Sequence, residues 1–259
     1  SRGLGDVYKR QFFNFLASHD GIGLNPARGI FSEAEINRLV DRALQHGGMV
    51  SYKSNPDGSQ SPYELNINYF DALSDSQSPE PLSLQINRFI CAQAILLSLV
   101  GVPGIYVHSL LGSRNWLEGV KQTGRNRTIN RQKLVLSDIE RELANSNSLR
   151  SQVFQKYIQL LRARASHAAF HPYGAQAFLD TNDEAVFAVL RIPPELSEPA
   201  ICLHNVSDSN RLAVIDLKNL ELPTGAWHDL ITSTPYPLHQ KAKIPLSPYQ
   251  AIWLVPQPA

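Results

Sequence analysis

The 259-residue chain has almost no net charge: 24 Lys and Arg stand against 23 Asp and Glu, a formal +1. That balance argues against a nucleic-acid partner or an anionic membrane surface, which recruit a strong basic excess. Cysteine is scarce. Cys91 and Cys202 lie far apart without metal-ligand spacing, in apolar helix-like and strand-like settings that predict buried thiols in a reducing compartment. Long hydrophobic runs are lacking too. The most apolar stretch, Phe89 to Val102, is too short to span a bilayer and is preceded by Gln85, Asn87 and Arg88. There is no G-x-S-x-G elbow, phosphate-binding P-loop or zinc pattern. The expectation is a soluble, cytoplasmic protein of one large or two modest domains, with no metal and no cofactor.

The first eleven residues, SRGLGDVYKRQ, resemble the in-frame translation of a transposon adaptor used in sequencing libraries. On that reading residues 1–11 are non-native, the native sequence begins near Phe12, and it is cut off upstream.

Phe12 to Ala17 is a short apolar run ending at Ser18-His19-Asp20-Gly21, which suits a strand buried on both faces. A helix is predicted from Ser32 to His46. Ser32 is its N-cap, Glu35 completes a capping box, and Ile36, Leu39, Val40, Ala43 and Leu44 form its inner face. Gly47-Gly48 ends it. Residues 48–81, with four prolines and Gly58, read as a long loop of functional length. Leu82 to Val100 reads as a buried helix stopped by Gly101 and Pro103, and Gly104 to Leu111 as a second apolar strand. A polar stretch runs to Gln132, a short helix starts at Ser137 as N-cap with Glu140, and a longer helix covers Leu149 to Ser166. Val153, Tyr157, Leu160 and Leu161 form the inner face of that last helix. Strand–loop–helix twice over, without a glycine-rich phosphate turn, matches the last two units of a (β/α)8 barrel better than a dinucleotide-binding sheet.

Beyond Pro172 the apolar runs shorten: Ala185–Ile192, Ala200–His204, Leu212–Ile215, Ala226–Leu230 and Ala251–Val255. Turn residues separate them and helical periodicity is gone, which predicts an antiparallel β-domain. The expected fold is therefore α/β plus all-β. Residues 12–171 form the C-terminal part of a (β/α)8 TIM barrel, strands seven and eight with their helices, and residues 172–259 form a small antiparallel β-sandwich.

His19-Asp20 ends the first buried strand, where a barrel places its active site. A carboxylate there can stabilise an oxocarbenium-like centre, and the imidazole can hydrogen-bond a sugar hydroxyl. Asp20 could equally do no more than cap a turn with Gly21. The exit of the second strand carries Arg114, and Arg125, Arg127 and Arg131 follow in TGRNRTINR. Such arginines suit recognition of phosphate or carboxylate, although any single one could face solvent. His167 and His171 straddle a helix end without a carboxylate between them, and a helix-dipole role is expected rather than metal binding.

FFNFLASHDGIGLNPARG resembles the strand-seven motif of the α-amylase superfamily, and GVPGIYVHSLLGSRN the strand-eight motif. SPYELNINYFDAL and TGRNRTINR resemble the acceptor loops of its sucrose phosphorylase subfamily. The resemblance implies a retaining glucoside phosphorylase that makes α-glucose 1-phosphate, with an α-glucoside and inorganic phosphate as co-substrates. It implies Asp20 as transition-state stabiliser and His19, Tyr63, Glu64, Arg114 and Arg131 as substrate-binding residues. It also implies that the nucleophile and the acid/base belong to earlier strands absent from these 259 residues, leaving the chain inactive alone. Tyr63-Glu64, where sucrose phosphorylases proper carry Tyr-Gln, points to the branch acting on glucosylglycerate or on phosphorylated sucrose. LNPARG and SPYELN favour glucosylglycerate. A sucrose-type substrate, amylase-like hydrolysis and a non-catalytic sugar-binding module are the competing expectations.

Overall fold

A computed structural model describes residues 12–195, 198–218, 220, 222 and 226–257. The adaptor-like segment 1–11 lies outside them. The described residues divide into two units, 15–85 with 105–155, and 12–14 with 86–104 and 156–257.

In the first unit, helix α1 (Glu33–Gln45) begins as the capping box requires. The Ser32 side chain accepts from the Glu35 amide, and the Glu35 carboxylate accepts from the Ser32 amide at 2.8 Å. Gly47 ends the helix at φ +75°, a conformation open to glycine. Ile36, Val40 and Ala43 are buried, whereas Leu39 and Leu44, expected on the same face, are exposed. The buried face packs against Val50 and Leu65 of a three-stranded antiparallel sheet, with Leu24 and Ile67 in the same core.

That sheet corrects the expectation of a loop over 48–81. Strands β2 (Ile22–Gly23), β3 (Met49–Ser54) and β4 (Gln60–Asn66) pair in the order β2-β4-β3. Pro56 and Gly58 occupy only the β3–β4 turn, and Pro62 is tolerated where the register shifts. Ser51 faces Glu64 and Tyr52 faces Pro62, so Tyr63 is the extra residue of a β-bulge. A short helix α2 (Tyr69–Leu73) follows. Gly104–Leu111 is not the expected strand, since Val107–Leu110 forms a helical turn, α4. An apolar run of that length fits either state. Helix α5 (Leu117–Thr123) precedes a 3-10 segment, Asn126–Asn130. Helix α6 (Leu136–Ala144) has Val135 at its N-cap, so Ser137 lies inside it rather than capping it.

In the second unit, β1 (Phe13–Asn14) pairs in parallel with β5 (Val102–Pro103), Phe13 opposite Val102. The strand expected to be buried on both faces instead has Phe12 and Phe13 exposed, because β5 is its only strand neighbour among the described residues. Helices α3 (Leu82–Ser98) and α7 (Leu149–Ser166) supply residues to both units and match their predicted spans. Six antiparallel strands form one sheet in the order β11-β10-β13-β8-β7-β6. They are β6 (Ala175–Phe178), β7 (Val186–Ile192), β8 (Ala200–Asn205), β10 (Ala226–Asp229), β11 (Pro235–Pro237) and β13 (Ala251–Pro256). Strands β9 (Arg211–Asp216) and β12 (Lys241–Leu246) form a second, two-stranded sheet. Leu190, Leu203 and Ile252 of the large sheet share one core with Ala213, Ile215 and Ile244 of the small one. All six residues of β8 are buried: an apolar run from Ala200 to Leu203, then His204 and Asn205. Burial pushes the Cys91 thiol up to about 12 and raises the pKa of Cys202, so both behave as buried apolar side chains.

Candidate active site

The His19-Asp20 pair sits on a tight turn closed by reciprocal backbone hydrogen bonds between Ser18 and Gly21, of 3.0 and 3.1 Å. Gly21 is needed there twice over. Its φ is +120°, and a Cβ would lie 2.1 Å from the Leu65 carbonyl oxygen of β4. The turn therefore lies directly against the sheet, with Asp20 only 29% exposed.

Three cationic or ionisable groups converge on that carboxylate. Arg131 donates to Asp20 through Nη2 and to the His19 carbonyl through Nε at 3.0 Å. Arg127 Nη1 lies 3.5 Å from Asp20 Oδ1, and His19 Nε2 lies 3.4 Å from the same oxygen. Arg127 also grips Glu64 through Nε and Nη2, at 2.9 and 3.2 Å, and reaches the Tyr63 hydroxyl at 3.5 Å. The Glu64 hydrogen bond is the main cause of the raised Arg127 pKa. On β4, Glu64 and Asn66 share the face opposite Leu65, which packs on α1. Asn66 is fully buried. The Tyr106 hydroxyl donates to the Asn130 carbonyl at 2.5 Å. Its pKa is raised by burial first, while Arg131 opposes that shift and Asp20 adds to it.

Asp20, His19, Tyr63, Glu64 and Arg131 are thus brought together, although up to 112 residues separate them in sequence. Arg114 is placed elsewhere. It pairs with buried Asp71 at 2.8 Å, donates to Gln85 at 3.0 Å and lies over the Phe70 ring. Burial raises the Asp71 pKa, against the pull of the Asn115 amide and of Arg114. Sequence reasoning undervalued Arg127, one arginine among several, and missed Asn66. The alternation in Tyr-Glu-Leu-Asn would have set Glu64 and Asn66 on one polar face, had the loop been read as a strand. Among the described residues no group of three or more His, Cys, Asp or Glu could hold a metal ion.

His167 and His171 do not serve the α7 dipole as expected. Each accepts through Nδ1 from a backbone amide two residues on, at 3.2 Å, and so caps a local turn. Burial lowers the His167 pKa. No described helix is long and apolar enough to cross a membrane.

In sequence the chain is similar to glucoside phosphorylases. More particularly, it is 46% identical to a glucosylglycerate phosphorylase of Spirochaeta thermophila, over 97% of this chain and 43% of that protein. The glucosylglycerate phosphorylase of Escherichia coli is 41% identical, over 94% of this chain and 41% of its own length. Sucrose 6(F)-phosphate phosphorylase of Ilumatobacter coccineus is 28% identical over 61% of this chain and 29% of that protein. The first two matches span about two fifths of the relatives' length. In fold, the chain resembles the crystal structure of a sucrose 6F-phosphate phosphorylase from Thermoanaerobacter thermosaccharolyticum. The TM-score is 0.62 at 22% identity, covering 87% of this chain and 41% of that one. AmyP in complex with maltose follows at 0.51 and 17%, covering 71% of this chain and 37% of that one. No family model matches the chain.

Proposed function

We propose that the chain is part of a retaining glucoside phosphorylase that transfers an α-glucosyl unit from glucosylglycerate to inorganic phosphate, releasing glycerate and α-glucose 1-phosphate. One observation carries the reading: Asp20 meets Arg131 and the Glu64-bound Arg127 in a chain 46% identical to a glucosylglycerate phosphorylase over 97% of its length. The parallel pairing of β1 with β5 supports adjacent barrel strands within residues 12–171. The core shared by the two antiparallel sheets supports a small sandwich within residues 172–259. A phosphorylated product that stays inside the cell fits a cytoplasmic enzyme.

In this mechanism a carboxylate from an upstream strand attacks the anomeric carbon, and glycerate leaves with a proton from an upstream acid. A phosphate oxygen then attacks the same carbon, its proton returns to the upstream acid, and the bond to the carboxylate breaks. Positive charge builds at the anomeric centre in both steps, and Asp20 stabilises it. Retention brings both acceptors to the same face of the sugar, so one pair of guanidinium groups can serve the glycerate carboxylate and the phosphate in turn. The test is the full-length gene product supplied with glucosylglycerate, with and without phosphate. Phosphate-dependent glucose 1-phosphate is expected. Glucose release at the same rate without phosphate would establish a hydrolase, and clear preference for phosphorylated sucrose would move the substrate. Turnover by the purified 259-residue chain alone would refute the need for upstream carboxylates.

A further inference from the structure

Asn66 ends strand β4 with its side chain fully buried between the two groups that the functional reading treats as separate parts. Its Nδ2 donates one hydrogen to the Asp20 carbonyl at 2.9 Å and the other to Glu64 Oε2 at 2.8 Å. Its Oδ1 accepts from the Ser51 hydroxyl of β3 at 2.7 Å. Both amide hydrogens are used and the oxygen is anchored, so the side chain has one satisfactory orientation.

We infer that Asn66 is a positioning residue. It ties the turn that aims the Asp20 carboxylate to the carboxylate that faces the acceptor, so that acceptor recognition and transition-state stabilisation share one register. The inference rests on the reading of Asp20 and Glu64 given above. Backbone contacts alone would hold the Ser18–Gly21 turn closed. Backbone pairing of Ile22 with Leu65 and of Gly23 with Glu64 sets the strands side by side, and Asn66 adds a side-chain tie from the Asp20 carbonyl of the turn to the Glu64 carboxylate itself. Small displacements at such a point are costly, since misplacement by about 1 Å can slow a reaction by roughly 10²-fold.

The test compares Asn66→Ala, Asn66→Asp and Ser51→Ala in the full-length gene product. Readouts are kcat, the KM for glycerate in the synthetic direction, and the thermal midpoint. For Asn66→Ala, kcat should fall about 10–100-fold while the glycerate KM rises several-fold in the same variant. Asn66→Asp should be worse at neutral pH, because it sets a second carboxylate against Glu64. It should recover part of its activity as the pH falls, since protonation restores one donor. Ser51→Ala keeps both Nδ2 bonds and loosens only the anchor, so it should fold and lose about 3–10-fold in kcat. A folded Asn66→Ala enzyme with wild-type kcat and KM overturns the inference. So does loss confined to the thermal midpoint, or Asn66→Asp matching Asn66→Ala at every pH. If neither Asn66 variant folds, Ser51→Ala within twofold of wild type overturns it instead. Wild-type enzyme that phosphorolyses no α-glucoside removes the functional reading and this inference together. An active wild type with indifferent Asn66 variants removes this inference alone.

Discussion

Arg191 and Arg131 each donate through Nε and at least one terminal nitrogen, Arg191 to carbonyls alone and Arg131 to a carbonyl and a carboxylate. Arg191, fully buried in the unit of antiparallel sheets, reaches the carbonyls of Ser98, His171 and Ala175 at 2.8, 3.0 and 3.3 Å. Beside it Arg164 reaches the Leu97 and Gly101 carbonyls, and burial pushes its pKa down to about 10. The two guanidinium groups occupy the C-terminal carbonyls of α3, where the helix dipole favours cations. Arg131, 42% exposed in the other unit, faces the Asp20 carboxylate instead, with Arg127 close to the same oxygen. A buried arginine that donates to backbone carbonyls is closed off from any ligand in solvent. A half-exposed arginine held by a carboxylate can exchange that partner for an anionic substrate. Exposure and acceptor type, not residue type, separate scaffold from site.

The largest expected effect is on the site side. Asp20→Asn in the full-length enzyme should lower kcat by about 10²–10³-fold with little change in either KM, since it removes a charge needed mainly in the transition state. An effect on binding alone would break the assignment. Arg191→Met tests the other half of the comparison. Three carbonyls lose a charged donor, so unfolding should cost about 3 kcal/mol less and the thermal midpoint should fall by roughly 10 °C. Turnover per folded molecule should not change. Arg131→Ala should come next, raising KM for phosphate or glycerate about ten- to a hundred-fold while the midpoint barely moves. Lysine in its place should restore only part of the affinity, lacking the planar fork. If Arg131→Ala destabilises as much as Arg191→Met, the two arginines are not used differently.

What the sequence made legible follows the range of the interactions. The α1 start, the spans of α3 and α7 and five of the β-domain strands were readable, because caps and apolar periodicity are local. The β3–β4 hairpin was not. Its prolines and glycine sit at the turn and the bulge, and only a partner strand reveals that the residues between them are extended. Strands β6, β11 and β12 were missed: β11 is short and proline-flanked, and β12 carries Pro245 and no uninterrupted apolar run, although its alternation is a strand signal. Within the site, Asp20 and Arg131 stood out from motif position, yet nothing local distinguishes Arg127 from Arg114. The first contacts Glu64 across 63 residues and the second Asp71 across 43. Which carboxylate each arginine meets is decided by the fold.

The capping box of α1 supplies the smallest expected effect and separates membership of the site's unit from membership of the site. Ser32 is exposed and Glu35 half-exposed, and both sides of the box lie within a single turn. Ser32→Ala should cost about 1 kcal/mol of stability and leave kcat and both KM values untouched, although α1 packs on the sheet that carries Glu64 and Asn66. The box also has a pH signature. Hydrogen bonds from the Ser32 amide and then its hydroxyl hold the Glu35 pKa below its ordinary 4.5. A carboxylate depressed in the folded state contributes stability above its unfolded pKa and loses it as pH falls through the folded value. Stability attributable to the box should therefore be complete above about pH 5 and decline on further acidification. Glu35→Gln should flatten that part of the profile without altering the neutral-pH kinetics. Thermal midpoints of wild type and Glu35→Gln between pH 3 and 7 measure this. A kinetic defect at neutral pH in either variant would mean that α1 transmits strain to the Asp20 turn, and the division between scaffold and site would then fail inside the unit where it matters most.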